Sequence, residues 1–342
     1  MQTLFNFLKS LSSPKNAAAN AINVPADVDD YIERVVEGID SKLRLVPDYK
    51  RKLRDVVALS LIHIDQLVNR IPGPINVSRK SFVSDPGVRA YFATPAVLQE
   101  TFSHATEVNS YFAEQSHYFM HDCCALLCAN MEEKTVMGTE LKGNMLQHDI
   151  VQKTINLFDY KVIAPAPRDD EVRHGIKNCI FDGLITYALQ HIACIKTKRR
   201  DLQNEHRILH TKLRTRQAQG NGLSTMLHEA SRMVEESAAI KAQLAADEKK
   251  LNEMLDHKDV FSFYLNEVCK IFATPEQFIH LNADRFKLTD MRIKVSDNSP
   301  QSANTVSFSE IEIINVLKRI VAIIHYQRDD MAGFNEDQQL TV

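Results

Sequence analysis

The sequence predicts a mainly α protein, α+β overall: a helical body, a projecting antiparallel coiled-coil hairpin and a small antiparallel β module at the C-terminus. Three observations predict it. Of 342 residues only 10 are Gly, 11 are Pro and none is Trp, while 44% are hydrophobic, a balance that favours long helices around an ample core. Two long stretches carry apolar residues at alternating steps of four and three. Near the C-terminus the period changes to alternation of apolar and polar residues, the pattern of half-buried strands.

The chain is longer than most single domains, and its patterning divides it into five segments. Residues 1–24 place Leu4, Phe5, Phe7, Leu8 and Leu11 on helical spacing and read as an amphipathic leader helix. With a single lysine in its first dozen residues, it offers only weak membrane-surface contact through 1–12. It lacks the charged start and long apolar stretch of a signal peptide, and no run approaches the ~20 apolar residues of a membrane span. The six cysteines are therefore expected to be reduced, in the cytoplasm.

Residues 25–167 read as an N-terminal α-helical domain. Val28, Ile32, Val35, Val36, Ile39 and Leu43 share one helical face; a second helix from Pro47 carries Leu53, Val57, Leu61 and Leu67 and stops at Ile71-Pro72-Gly73-Pro74. Helical pattern returns from Thr94 to about Met131. Gly138 and Gly143 then interrupt it, and 134–167 is expected to hold a short irregular or β segment, either two short strands or a strand and a loop.

Residues 168–273 read as long helices forming the hairpin. Ala188, Ile192, Ile195, Arg199, Leu202, His206, Leu209, Leu213 and Arg216 follow the four-three rhythm, as do Met226, Ala230, Met233, Ser237, Ile240, Leu244, Asp247, Leu251 and Met254. Gly220-Asn221-Gly222 suits the reversal, and placing the turn there sets Leu202 near Ile240 and His206 near Glu236. Residues 274–328 form the β module, with a hairpin expected between Phe286–Val295 and Val306–Ile313; periodicity leaves 319–326 as a third strand or a short core helix, and the strand is favoured because Val, Ile and Tyr dominate there. Residues 329–342 are a polar tail.

The densest cluster of reactive side chains is HYFMHDCCALLC, residues 117–128. On a helix, His117, His121, Cys124 and Cys128 would share an arc of about 60°, with Asp122 on the polar side and His63 as a neighbour able to close the stripe. The stripe would rise about 16 Å, too long for four ligands on one ion. The favoured reading is therefore structural. No cofactor is predicted; the alternative is a divalent metal on an adjacent pair, or thiol sensing through Cys124 and Cys128. The pair His121-Asp122, echoed at His148-Asp149, resembles the His-Asp signature of HD-type metal-dependent phosphohydrolases. That resemblance covers two residues plus an upstream His104 or His117, and it implies an enzyme alternative using His63, His117, His121 and Asp122.

The second candidate is the basic arm, with Arg199, Arg200, Arg207, Arg214 and Arg216 among its cations. Its acidic counterpart, Glu229, Glu235, Glu236, Asp247 and Glu248 among others, is expected to pair with it across the hairpin. A net charge of −3 and the absence of aromatic residues from the arm argue against nucleic acid. Without a Gly-rich phosphate loop, GxSxG, CxxC or HExxH, the expected role is a cytoplasmic interaction or scaffold protein, binding a protein partner or itself through the hairpin.

Overall fold

The computed structural model describes residues 28–114, 119–142, 145–220, 238–249, 260–295 and 302–328. The leader 1–24, His117, residues 221 and 222 of the expected reversal and the tail 329–342 lie outside the described residues. In chain order the elements are α1 (Val28–Ile39), α2 (Tyr49–Asn69), β1 (Ile75–Val77), α3 (Arg79–Ser84), α4 (Pro86–Tyr91), α5 (Pro95–Ser103), α6 (Thr106–Ala113), β2 (Asp122–Lys142), β3 (Met145–Ala166), α7 (Asp169–Gly220), α8 (238–249), α9 (Val260–Ala273), β4 (Ile279–Leu288), β5 (Asn304–Ile313) and β6 (Leu317–Gln327). They divide into two units, Met1–Ser60 with Ile192–Ala273, and Leu61–His191 with Thr274–Val342.

The first unit is helical. Asp29 and Asp30 in the first turn of α1 complement the positive end of its dipole, and Val28, Tyr31, Ile32, Val35, Val36 and Ile39 bury one stripe. The apolar face of α9, with Tyr264, Leu265, Val268, Ile271 and Phe272, is buried likewise. The buried hydroxyl of Ser60 donates to the Phe272 carbonyl at 2.6 Å, satisfying an acceptor in the last turn of α9. From Ile192 onward α7 belongs to this unit, and Lys196 on it meets Asp40 at 2.6 Å.

The second unit is built on a six-stranded sheet in the order β3-β2-β6-β5-β4. These five strands pair antiparallel. β1 joins β6 in parallel, from Ile75 opposite Ile324 to Val77 opposite Tyr326, beyond the point where β5 leaves that edge at Ser309 opposite Val321. Cys123, Ala125, Leu127 and Ala129 of β2, with Ile320, Ala322, Ile324 and Tyr326 of β6, form one core face with Tyr91, Phe102, Val108 and Phe112 from the short helices α4–α6. Phe102 stacks on Tyr326 at 4.0 Å between centroids. The short helices are locally encoded: Thr94 caps Val97 N–H ahead of Pro95 at the first turn of α5, and Asp85 does the same for α4. α7 meets the opposite face. A Cβ on Gly175 would lie 2.8 Å from the Ala164 Cβ, and one on Gly183 would overlap the Ile313 Cδ1, so both glycines let the helix approach the strands.

The expected fold class therefore needs correction: the sheet is a major component, and it is not confined to a small C-terminal module. The segment read as helix up to Met131 ends in α6, and Asp122 onward is strand. β2 and β3 run 21 and 22 residues, where only a short irregular or β segment was expected. The reason is burial on both faces. Cys123, Ala125 and Leu127 point one way, Cys124 and Leu126 the other, and all are buried, so a central strand reads as one continuous apolar run that periodicity does not separate from helix. In β3 the alternation is broken by one extra residue at each of three register shifts against β2. Asp149, Asp159 and Ala164 sit there with φ of 60°, 52° and 52°, as β-bulges allow. The C-terminal hairpin also shifts: it joins Ile279–Leu288 to Asn304–Ile313, earlier in its first arm than the expected Phe286–Val295. Ile293 and Lys294 make only isolated bridges, to Thr154 and Leu288.

Candidate functional site

The strand geometry takes the histidine-cysteine stripe apart. His121 is exposed just ahead of β2 and Asp122 opens the strand, while Cys124 and Cys128 follow along one face of a sheet instead of one side of a helix. His63 is on α2, half-buried. Among the described residues, His63, His121, Asp122, Cys124 and Cys128 form no group of three ligand atoms within metal-binding reach.

What the sheet does bring together is Asp122 and His325, which stands alone in an apolar run and carries no motif of its own. His325 pairs opposite Cys124 in the β2–β6 ladder, and its Nε2 lies 2.9 Å from Asp122 Oδ2. An aspartate, a histidine and a cysteine thus share one face. The thiol is not activated there. Burial is the main cause raising the Cys124 pKa, with the Asp169 and Asp122 carboxylates adding to it, whereas a nucleophilic cysteine needs its pKa lowered. Burial likewise pushes Cys123 and Cys128 up to about 12. Cys123 and Cys124 are buried and Cys128 half-buried, and all six cysteines in the chain are free thiols.

The basic arm has more to offer. Between Ile192 and Thr215 the positions shielded from solvent are 192, 195, 199, 202, 206, 209 and 213, and on α8 they are 240, 244 and 247. Leu209 and Leu244 are each 7% exposed. Gln243 Nε2 donates to Glu205 Oε1 at 3.4 Å. The expected register needs correction here: the residue facing His206 is Glu248, at 3.6 Å between Oε1 and Nε2, and the expected neighbour Glu236 lies outside the described residues.

Around this seam the cations sort by position. Arg199 is half-buried, whereas Arg200, Arg207 and Arg214 are exposed. The last three recur every seven residues, so each is displaced by only about 20° around the helix from the one before, and together they form a stripe about 21 Å long. Their guanidinium groups form no ion pair among the described residues, which leave out Glu229, Glu235 and Glu236 of the acidic arm. The side chain of Arg216 lies outside the described residues.

Beside this stripe, His206, His210 and Glu248 bring one ligand atom each to within 4.8 Å of one another, and the two imidazole rings stand 4.6 Å apart between centroids at 69°. The His206–His210 spacing of four residues was legible in the sequence; Glu248 was not, because the register of α8 was misplaced. Compared with known proteins, the chain matches no family model, no curated protein and no solved structure. Among the described residues no helix is long and apolar enough to cross a membrane.

Proposed function

We propose that this chain is a cytoplasmic interaction or scaffold protein whose helical arm docks an acidic surface of a partner protein through Arg200, Arg207 and Arg214. The carrying observation is the stripe itself: three exposed guanidinium groups in line, without an ion pair among the described residues, on a helix whose adjoining face is packed. Arginine forks suit bidentate binding to carboxylates, and a row of like charge steers an oppositely charged partner. Six free cysteines support a reducing compartment. Nucleic acid is the less favoured occupant, because no aromatic side chain interleaves the stripe and the net charge is −3.

Thr211 is exposed on the same side of α7 and gives a direct test. A photo-crosslinking amino acid placed there in the source cells should yield a discrete protein adduct, lost when Arg200, Arg207 and Arg214 are all changed to Glu. A nucleic-acid adduct, or a protein adduct indifferent to the charge reversal, would defeat the proposal.

A further inference from the structure

The geometry points to a second site on the same helical pair: we infer that His206, His210 and Glu248 bind a divalent transition-metal ion of the zinc class. This inference stands apart from the partner reading, since it rests on different side chains and needs no partner.

The donor set comes first. Two imidazoles and one carboxylate suit zinc and its first-row neighbours, whereas calcium takes six to eight oxygens and magnesium keeps an octahedron of oxygen ligands and water. His206 and His210, four apart on one helix, point their rings to one side, with centroids 4.6 Å apart. Glu248 arrives from α8, so the group does not depend on a single helix turn.

Distance comes next. A tetrahedral zinc ion with bonds of about 2.0–2.1 Å holds its ligand atoms about 3.3–3.4 Å apart. His206 Nε2 and Glu248 Oε1 are at 3.6 Å, nearly that spacing. The full triad lies within 4.8 Å, and exposed His210 and Glu248 are free to close the rest by small rotamer changes.

The state of His206 is the independent observation. Its Nε2 is buried and makes no hydrogen bond among the described residues, the Glu248 oxygen being just too far for one. A buried polar atom without a partner is costly, and an ion between imidazole and carboxylate removes that cost. Three protein ligands leave a fourth position to water. Because His206 directly precedes Arg207, a bound ion would also fix the segment that carries the arginine stripe, tying α8 to it.

The test uses the full chain, stripped with a chelator and titrated with Co²⁺, whose visible absorption reports four-coordinate nitrogen and oxygen ligation, followed by competition with Zn²⁺. We expect one ion per chain, displaced by Zn²⁺. His210→Ala should weaken binding roughly tenfold or more, as loss of one of three protein ligands implies. Glu248→Gln keeps the shape of the side chain and should weaken it too, and it decides the matter if circular dichroism shows His210→Ala to be unfolded. The inference fails if the chain takes up no Co²⁺ at micromolar concentrations, or if both variants bind it as the unaltered chain does.

Discussion

Gly183 offers the sharpest test of how α7 lies on the sheet. In a helix interior, Gly→Ala should stabilise by about 0.8–1.0 kcal/mol through propensity alone. Here the added Cβ overlaps the Cδ1 of Ile313, and Ile313 is only 1% exposed, so that methyl has little room to retreat. Overpacking of this kind costs about 1–3 kcal/mol, and Gly183→Ala should therefore destabilise by about 0–2 kcal/mol net. Ile313→Val removes the clashing methyl and, on its own, should cost about 0.5–1.5 kcal/mol. Together the two changes exchange one methyl for another across the same contact. The double variant should keep the propensity gain and fall within about 1 kcal/mol of the unaltered chain, a coupling of about 1–3 kcal/mol. Urea midpoints at unchanged m-value measure all four corners of the cycle. If the two effects simply add, to within about 0.5 kcal/mol, the helix does not meet the sheet at this point and the packing argument is refuted.

Four further outcomes follow from the same structure. Leu209→Ala, at a position 7% exposed, should destabilise the helical pair by about 2–4 kcal/mol, read as faster amide exchange in α8. Reversing Arg200, Arg207 and Arg214 to Glu should change stability by no more than about 0.5 kcal/mol per site, because these exposed side chains make no ion pair among the described residues; a large loss in urea denaturation would show that the stripe is structural. The Lys50 ammonium foremost, then the Tyr49 hydroxyl and Arg44, hold the Glu33 carboxyl down at about 2 from its ordinary 4.5. That contribution to stability is complete above pH 4.5 and lost as pH falls from there towards 2, so Glu33→Gln should flatten the acid limb of a melting-temperature profile. Among the thiols, exposed Cys194 should react with a thiol reagent at neutral pH while Cys123 and Cys128, raised to about 12 by burial, wait for unfolding; mass spectrometry of timed adducts separates them.

How much of this was legible in the sequence depends on whether burial was set locally or by distant strands. α1 was readable because its six buried residues, Val28 to Ile39, fall on one helical stripe and nothing else competes for them. The short helices α4 and α5 announce themselves through Asp85-Pro86 and Thr94-Pro95, where the capping side chain and the preset φ of proline act within one turn. β2 gave no such local signal. Its first eight residues owe their state to Gln327–Ile320 of β6, nearly two hundred positions away, and residues such as Cys, Ala and Leu suit either environment. β3 hid its period behind three bulges, each of which moves the following residues to the other face.

The same division explains why the candidate residues of the stripe do not converge. HYFMHDCCALLC drew attention because reactive residues are dense in sequence, yet density along a strand spreads side chains over two faces and about 3.3 Å per residue, which separates ligands instead of gathering them. Convergence came where two helices meet. There a four-residue spacing holds two imidazoles on one side, and a carboxylate from another helix supplies what a single chain segment lacks. The seven-residue recurrence that shields 192, 199, 206 and 213 also sets Arg200, Arg207 and Arg214 one step outside the seam. A single period therefore both packs the arm and lines up its exposed arginines, so that a one-residue insertion or deletion between 206 and 210 should disrupt packing, stripe and histidine pair together.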